Sequence, residues 1–189
     1  MIVVCVYLCY LIHRCGNSTF STDLYNAGYT NITNIDFSSI VIAAMSAKHS
    51  SSCPDMKWEC MDMTDLKYDT GSFDVVIDKA AMDAIMVDEG DVWNPDDNVI
   101  DLVDKMCSGI DRVLHPFHGV HLQISFAQPH FRTKYLMASR QKVLEECAEV
   151  TSPFTAEEGP CGRYHWVCAH QTIECGGCLP YYLYLMKRS

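Results

Sequence analysis

The chain has 189 residues, 24 acidic against 14 basic side chains, and a net charge of -10. That length suits one domain with a sizeable core, expected over residues 1–189, and 49 % apolar residues exclude overall disorder. The charge argues against direct nucleic-acid binding, which needs a basic surface, and favours a positively charged protein partner.

Residues 1–12 are apolar and uncharged, too short for a membrane helix of about 20 residues. Positive charge follows this run, at His13 and Arg14, instead of preceding it as in a signal peptide. Val3 to Ile12 therefore reads as a first strand buried on both faces. Asn17 or Ser18 can cap a helix that Gly28 ends. Ile32 to Ile35 is a second strand. Ser38 or Ser39 caps a second helix, with Val41, Ala44, Met45 and Lys48 at helical spacing. Met56 to Met61 is a third strand, and Phe73 to Ile77 a fourth after the turn Asp69-Thr70-Gly71-Ser72. A helix from Asn98 to Leu114 presents Ile100, Val103, Cys107, Ile110 and Leu114 on one face. Val120 to Phe126 is a fifth strand. Thr151 to Gly162 reads as a loop, and Arg163 to His170 pairs with Tyr181 to Met186 as an antiparallel hairpin. Strands alternating with helices specify an α/β fold with a mainly parallel sheet.

The 11 cysteines are an odd, scattered set, unlike a secreted disulfide framework, so the compartment reads as reducing and cytoplasmic. Cys161, Cys168, Cys175 and Cys178 contain only one close pair, Cys175-Gly-Gly-Cys178, so no metal site is expected.

Three strand ends carry the chemistry. Gly16 follows the first strand, Asp36 lies 20 residues on, and Asp62 a further 26. A glycine turn lets backbone approach a ligand, and an acidic residue after the second strand can hold ribose hydroxyls. Asp62 can accept from an adenine amino group, with Met61 and Met63 flanking the ring. Taken alone, Gly16 could be an ordinary turn, Asp36 a neighbour of a helix cap, and Asp62 a solvated strand end. The G-x-G-x-x-G of dinucleotide enzymes is absent, which disfavours a nicotinamide oxidoreductase. Asp78 and Lys79 end the fourth strand, where ligands bind in open sheets. From Lys79 to Lys105 there are eight acidic residues and no basic one between, a pattern able to steer a basic protein surface or simply to solvate a loop and a helix start. His130, in Pro129-His130-Phe131-Arg132, has no evident carboxylate partner and reads as a loop or packing residue.

Cys15-Gly16-Asn17-Ser18, Ile35 to Met45, Trp58 to Met63, Phe73 to Ala84, Gln128 to Arg132 and Tyr182 to Lys187 together resemble the methyltransferase-like 13 group of S-adenosylmethionine (SAM)-dependent methyltransferases. The resemblance implies a seven-stranded Rossmann-like class I sheet with helices on both faces and an antiparallel C-terminal hairpin. It implies SAM as cofactor and protein-lysine methylation as activity, with translation elongation factor 1-alpha as the protein substrate; the chain is further expected to be a monomer without a membrane partner. Cys15, Gly16 and Asn17 would lie at the methionine part of the cofactor, Asp36 and Phe37 at ribose and adenine, and Asp62 and Met63 at adenine. Lys79 matches a cofactor-contacting lysine, and the segment Asp78 to Asp83 a motif that shapes the substrate entrance. The expected catalytic residues are Asp78 and Asp83, orienting the incoming amine. The family has glycine where this chain has Arg14, and a different leader before the first strand, so residues 1–13 read as an atypical or truncated N-terminus. A methyltransferase-fold binding protein with impaired catalysis is the alternative.

Overall fold

The computed structural model describes residues 8–88, 90–137, 155–157, 164–174, 176 and 179–188. The described elements begin with β1 (Tyr10–His13), α1 (Phe20–Asn26), β2 (Ile32–Asp36), α2 (Ser39–His49), β3 (Lys57–Cys60) and β4 (Val75–Lys79). It continues through α3 (Ala81–Ile85), a 3-10 turn at Met86–Asp88, the two-stranded pair β5 (Gly90–Asp91) and β6 (Asn94–Pro95), and α4 (Asp97–Val113). It ends with β7 (Val120–Ser125), α5 (Pro129–Leu136), β8 (Thr155–Glu157), β9 (Trp166–Ile173) and β10 (Tyr181–Arg188).

The main sheet has the order β3-β2-β1-β4-β7-β10-β9-β8. Its first five strands are parallel, and β10 enters antiparallel between β7 and β9. The expected seven strands are therefore present, with the three-residue β8 added at the edge. Strand order reverses between β1 and β4, and such a switch point opens a crevice at the carboxyl ends of the strands.

Two cores explain why helices cover both faces. Leu11 and Val76 face one way, toward Val103, Met106, Cys107 and Ile110 of α4. Tyr10, Ile12, Val75 and Ile77 face the other way, toward Ile42 of α2 and Leu24 of α1. Period-two alternation along β1 and β4 produces this division.

Several local expectations shift. The described part of β1 runs one residue past Ile12, while residues 1–7 lie outside the described set. Helix α1 begins at Phe20, after Ser18 Oγ has accepted the Phe20 N–H at 3.2 Å. Ser38 is the cap of α2, accepting from Val41 N at 3.3 Å, but the buried positions of that helix are Ile42 and Met45. Ala44 and Lys48 are exposed, so the inward face is turned from the one expected. Phe73 forms an isolated bridge to Leu114, and β4 starts only at Val75. The loop expected at Thr151 to Gly162 contains β8; its other residues lie outside the described set. Cys161, Cys175 and Cys178 also lie outside it. Helices α3 and α5 were not foreseen, being only 5 and 8 residues long. Short helices rest on tertiary contacts more than on local pattern.

Candidate active site

The turn after β1 reverses direction through two left-handed residues, Arg14 at φ 45° and Gly16 at φ 54°. A Cβ on Gly16 would meet nothing closer than the Arg14 carbonyl oxygen at 4.0 Å, so conformation and not space calls for glycine. The turn is pinned to β2: Cys15 N–H donates to Ile35 O at 3.0 Å, and Gly16 N–H donates to Asp36 Oδ2 at 3.1 Å. Asp36 is buried, and its Oδ1 accepts from Ser38 N at 2.9 Å. One carboxylate thus ties the β1 turn to the start of α2.

The next strand end adds the outer wall. Met61 N–H donates to Asp36 O at 3.0 Å, which sets β3's exit beside β2. Asp62 Oδ1 accepts from both the N–H and the Oγ1 of Thr64, each at 2.8 Å. A cleft of about 310 Å³ opens between these strand ends and the helices. Arg14, Asp36, Phe37 and the Met61–Thr64 segment line one side; Ala84 and Ile85 of α3 and Leu102 of α4 line the other. Phe37 sits at the rim, 69 % exposed.

The end of β4 behaves differently. Asp78 is wholly buried, with its carboxylate accepting from Ala81 N at 2.5 Å, Met82 N at 3.2 Å and Gln123 Nε2 at 2.7 Å. Register explains the last bond, because His13, Asp78 and Gln123 form one cross-strand row. Ala80 adopts φ 61°, which turns the chain so that α3's first N–H groups point back at Asp78. Burial raises the Asp78 pKa, opposed by its three donors.

Asp83 accepts from Ser125 Oγ at 2.6 Å, Phe126 N at 3.2 Å and Arg132 Nη2 at 2.5 Å. Arg132 is itself buried. Asp83 therefore fastens α3 to the end of β7 and to α5.

The cleft brings together Asp36, Phe37, Asp62 and Met63 of the expected set. Cys15 and Gly16 form the turn beside it, and the Cys15 thiol is pushed up to about 12, mainly by burial, so it stays protonated. Asn17 and Lys79 are exposed and do not line it. Asp78 and Asp83 do not line it either, and both carboxylates accept hydrogen bonds from protein donors. Thr64, Ala84, Ile85 and Leu102 were missed. Leu102 lies off the apolar stripe of α4 and is 40 % exposed, which marks a position facing something other than the core.

Beneath the site, His13 and His121 are fully buried with no hydrogen-bond partner at either ring nitrogen. Burial lowers both to about 3, so they are neutral imidazoles. Among the described residues no group of three or more His, Cys, Asp or Glu side chains is placed to hold a metal ion.

Comparison with known proteins agrees with this geometry. A methyltransferase-domain family model matches residues 13–93, the segment that carries every strand end lining the cleft. The chain is 38 % identical over 130 residues to EEF1A lysine methyltransferase 4 of Mus musculus, covering 69 % of this chain and 50 % of that protein. It is 40 % identical over 124 residues to the eEF1A lysine and N-terminal methyltransferase of Bos taurus, covering 66 % of this chain and 17 % of that one. The chain thus spans about half the length of the first relative and a smaller part of the second. A SAM-dependent methyltransferase from Methanosarcina mazei shares the fold, with a TM-score of 0.58 at 16 % identity over 95 % of this chain and 91 % of that one. Residues 13–93 therefore match a methyltransferase domain, and the sheet has the fold of the class I SAM-dependent methyltransferases.

Proposed function

We propose that this chain is a SAM-dependent protein-lysine methyltransferase whose substrate is elongation factor 1-alpha. The observation that carries it is the buried Asp36 carboxylate at the lip of the cleft, between the Arg14–Gly16 turn and the Met61–Met63 wall. The names of the relatives supply the substrate.

The donor set fits the cofactor. Asp36 is an anionic acceptor for ribose hydroxyls, Phe37 and Met63 offer apolar faces to adenine, and Asp62 offers an acceptor to its amino group. The backbone of Cys15 and Gly16, with Asn17 beside it, faces the methionine part. Bound there, SAM supplies a methyl group on a cationic sulfonium for transfer to a neutral amine. A free lysine is almost wholly protonated at neutral pH, with a pKa of about 10.4, so the site must align and desolvate the amine. Asp78 and Asp83 serve this as positioning residues, by fixing α3 and thereby Ala84 and Ile85. Lys79 stands exposed beside them at the substrate entrance.

Arg14 supports a second reading, a binding protein with reduced catalysis, because a guanidinium on the cleft wall repels a sulfonium. The proposed setting is the cytoplasm, as a monomer acting without nucleic acid or membrane. The free thiols of Cys15, Cys53 and Cys107 suit a reducing compartment. Among the described residues no helix is long and apolar enough to cross a membrane.

The test is SAM titration by calorimetry, followed by mass spectrometry of elongation factor 1-alpha incubated with the chain and SAM. Binding and a methylated lysine are expected. Failure of the folded chain to bind SAM selects the second reading, and binding without methylation rejects elongation factor 1-alpha as the substrate.

A further inference from the structure

The β5–β6 hairpin holds an aromatic ring out in solvent. Trp93 at its tip is 78 % exposed, and Val87 just before the hairpin is 77 % exposed. The tip is nonetheless ordered by contacts. Trp93 N–H donates to Asp91 Oδ1 at 2.9 Å, and its ring packs edge-on against Phe131 of α5, with centroids 5.2 Å apart. Helix α5 is anchored in turn by Arg132 on Asp83. Val87, Val92 and Trp93 are exposed together in one short segment, and grouped apolar exposure rimmed by polar residues marks a contact surface.

The surroundings decide what it contacts. Asp88, Asp91, Asp96 and Asp97 are all exposed around the hairpin, and no Lys or Arg occurs from residue 80 to 104. Lys105 pairs with Asp101 at 3.7 Å, Arg132 with Asp83, and Lys134 lies over the Tyr135 ring at 4.9 Å, while Lys79, before α3, is exposed. Aromatic faces rimmed by carboxylates suit ammonium and guanidinium groups, through cation–π attraction and charge-assisted hydrogen bonds. Nucleic acid is repelled by the same charge. The surface adjoins the cleft, since the Met86–Asp88 turn continues α3 and α4 follows β6 directly.

We infer that the β5–β6 tip, with Phe131 of α5, docks a lysine- and arginine-rich segment of the protein substrate beside the methyl-transfer cleft. The purpose of the surface rests on the methyltransferase reading; its binding test does not. The experiment is fluorescence anisotropy of a short labelled peptide of alternating lysine and glycine, titrated with the full chain, with Trp93→Ala and with Asp88→Asn/Asp97→Asn. SAM affinity is measured on each protein in parallel. Peptide binding should weaken about fivefold in each variant and should fall with added salt, while SAM affinity stays unchanged. Equal peptide binding by all three proteins, or no binding by the native chain, overturns the inference. So does a native dimer that Trp93→Ala dissolves in sedimentation, which would assign the surface to a second copy of the chain. Peptide binding without SAM binding would reject the catalytic reading and leave the docking surface standing.

Discussion

Asp36 and Gly16 are joined by a hydrogen bond from the Gly16 N–H to Asp36 Oδ2 at 3.1 Å, while the other oxygen of Asp36 serves Ser38 N at 2.9 Å. The residue proposed to hold ribose also builds the turn that shapes its own site. Asp36→Asn keeps only one acceptor oxygen, so one of the two N–H groups loses its partner. The expected cost is about 1–2 kcal/mol of stability, measured by urea denaturation. SAM affinity should fall about tenfold or more, because hydrogen bonds to a charged acceptor contribute roughly 1.5–3 kcal/mol. Unchanged affinity by calorimetry would remove Asp36 from the cofactor site.

Arg14 occupies a left-handed conformation at φ 45° and lines the cleft. That backbone costs an ordinary residue roughly 1–2 kcal/mol, and glycine avoids it while adding some entropy to the unfolded chain. Arg14→Gly should therefore stabilise the fold by about 0.5–1 kcal/mol net and tighten SAM binding by removing a cation from the cleft wall. A lower unfolding midpoint would contradict the strain account. A higher midpoint with unchanged SAM affinity would contradict the electrostatic one.

The ion pair between Asp83 and Arg132 is nearly closed to solvent, with the Arg132 side chain 4 % exposed. Asp83→Ala leaves a buried guanidinium uncompensated and should cost about 3–5 kcal/mol. Arg132→Met in the Asp83→Asn background should recover part of that loss, since no charge then remains unpaired. A double variant no more stable than Asp83→Ala would mean that the bonds from Ser125 Oγ and Phe126 N, not the ion pair, dominate at this junction.

Acid sensitivity follows from His13 and His121. Both are held at about 3 by burial, whereas the unfolded chain titrates near 6.5. Between those values the unfolded state binds more protons, so stability is full above 6.5 and falls as the pH drops. Each histidine contributes about 1.4 kcal/mol of loss per pH unit well inside that window. Asp78 works in the opposite direction, because its raised folded-state pKa makes the folded protein take up a proton first. His121→Leu should halve the histidine part of the slope, read from urea midpoints between pH 4 and 7 as an approximate window. An unchanged slope would exclude these imidazoles as its source.

The alternation of strands and helices, and the Gly16, Asp36 and Asp62 positions at three strand ends, were legible in the chain because both are local properties. Strand and helix periods act within a few residues, and a glycine in a tight turn answers to its own backbone angles. Other outcomes depended on distant partners. Asp78 turned inward because Ala80 adopts a left-handed conformation and Gln123 arrives from β7 in register. Asp83 was claimed by Ser125, Phe126 and Arg132, all more than 40 positions along the chain. The inward face of α2 was set by its packing on β3 and not by its own weak pattern, and the partner of the Trp93 ring, Phe131, comes from α5, a separate element. Sequence alone determined where the carboxylates stand along the strands. Tertiary structure decided which of them face the cleft and which hold its walls, because a carboxylate's role depends on the donors that folding brings to it.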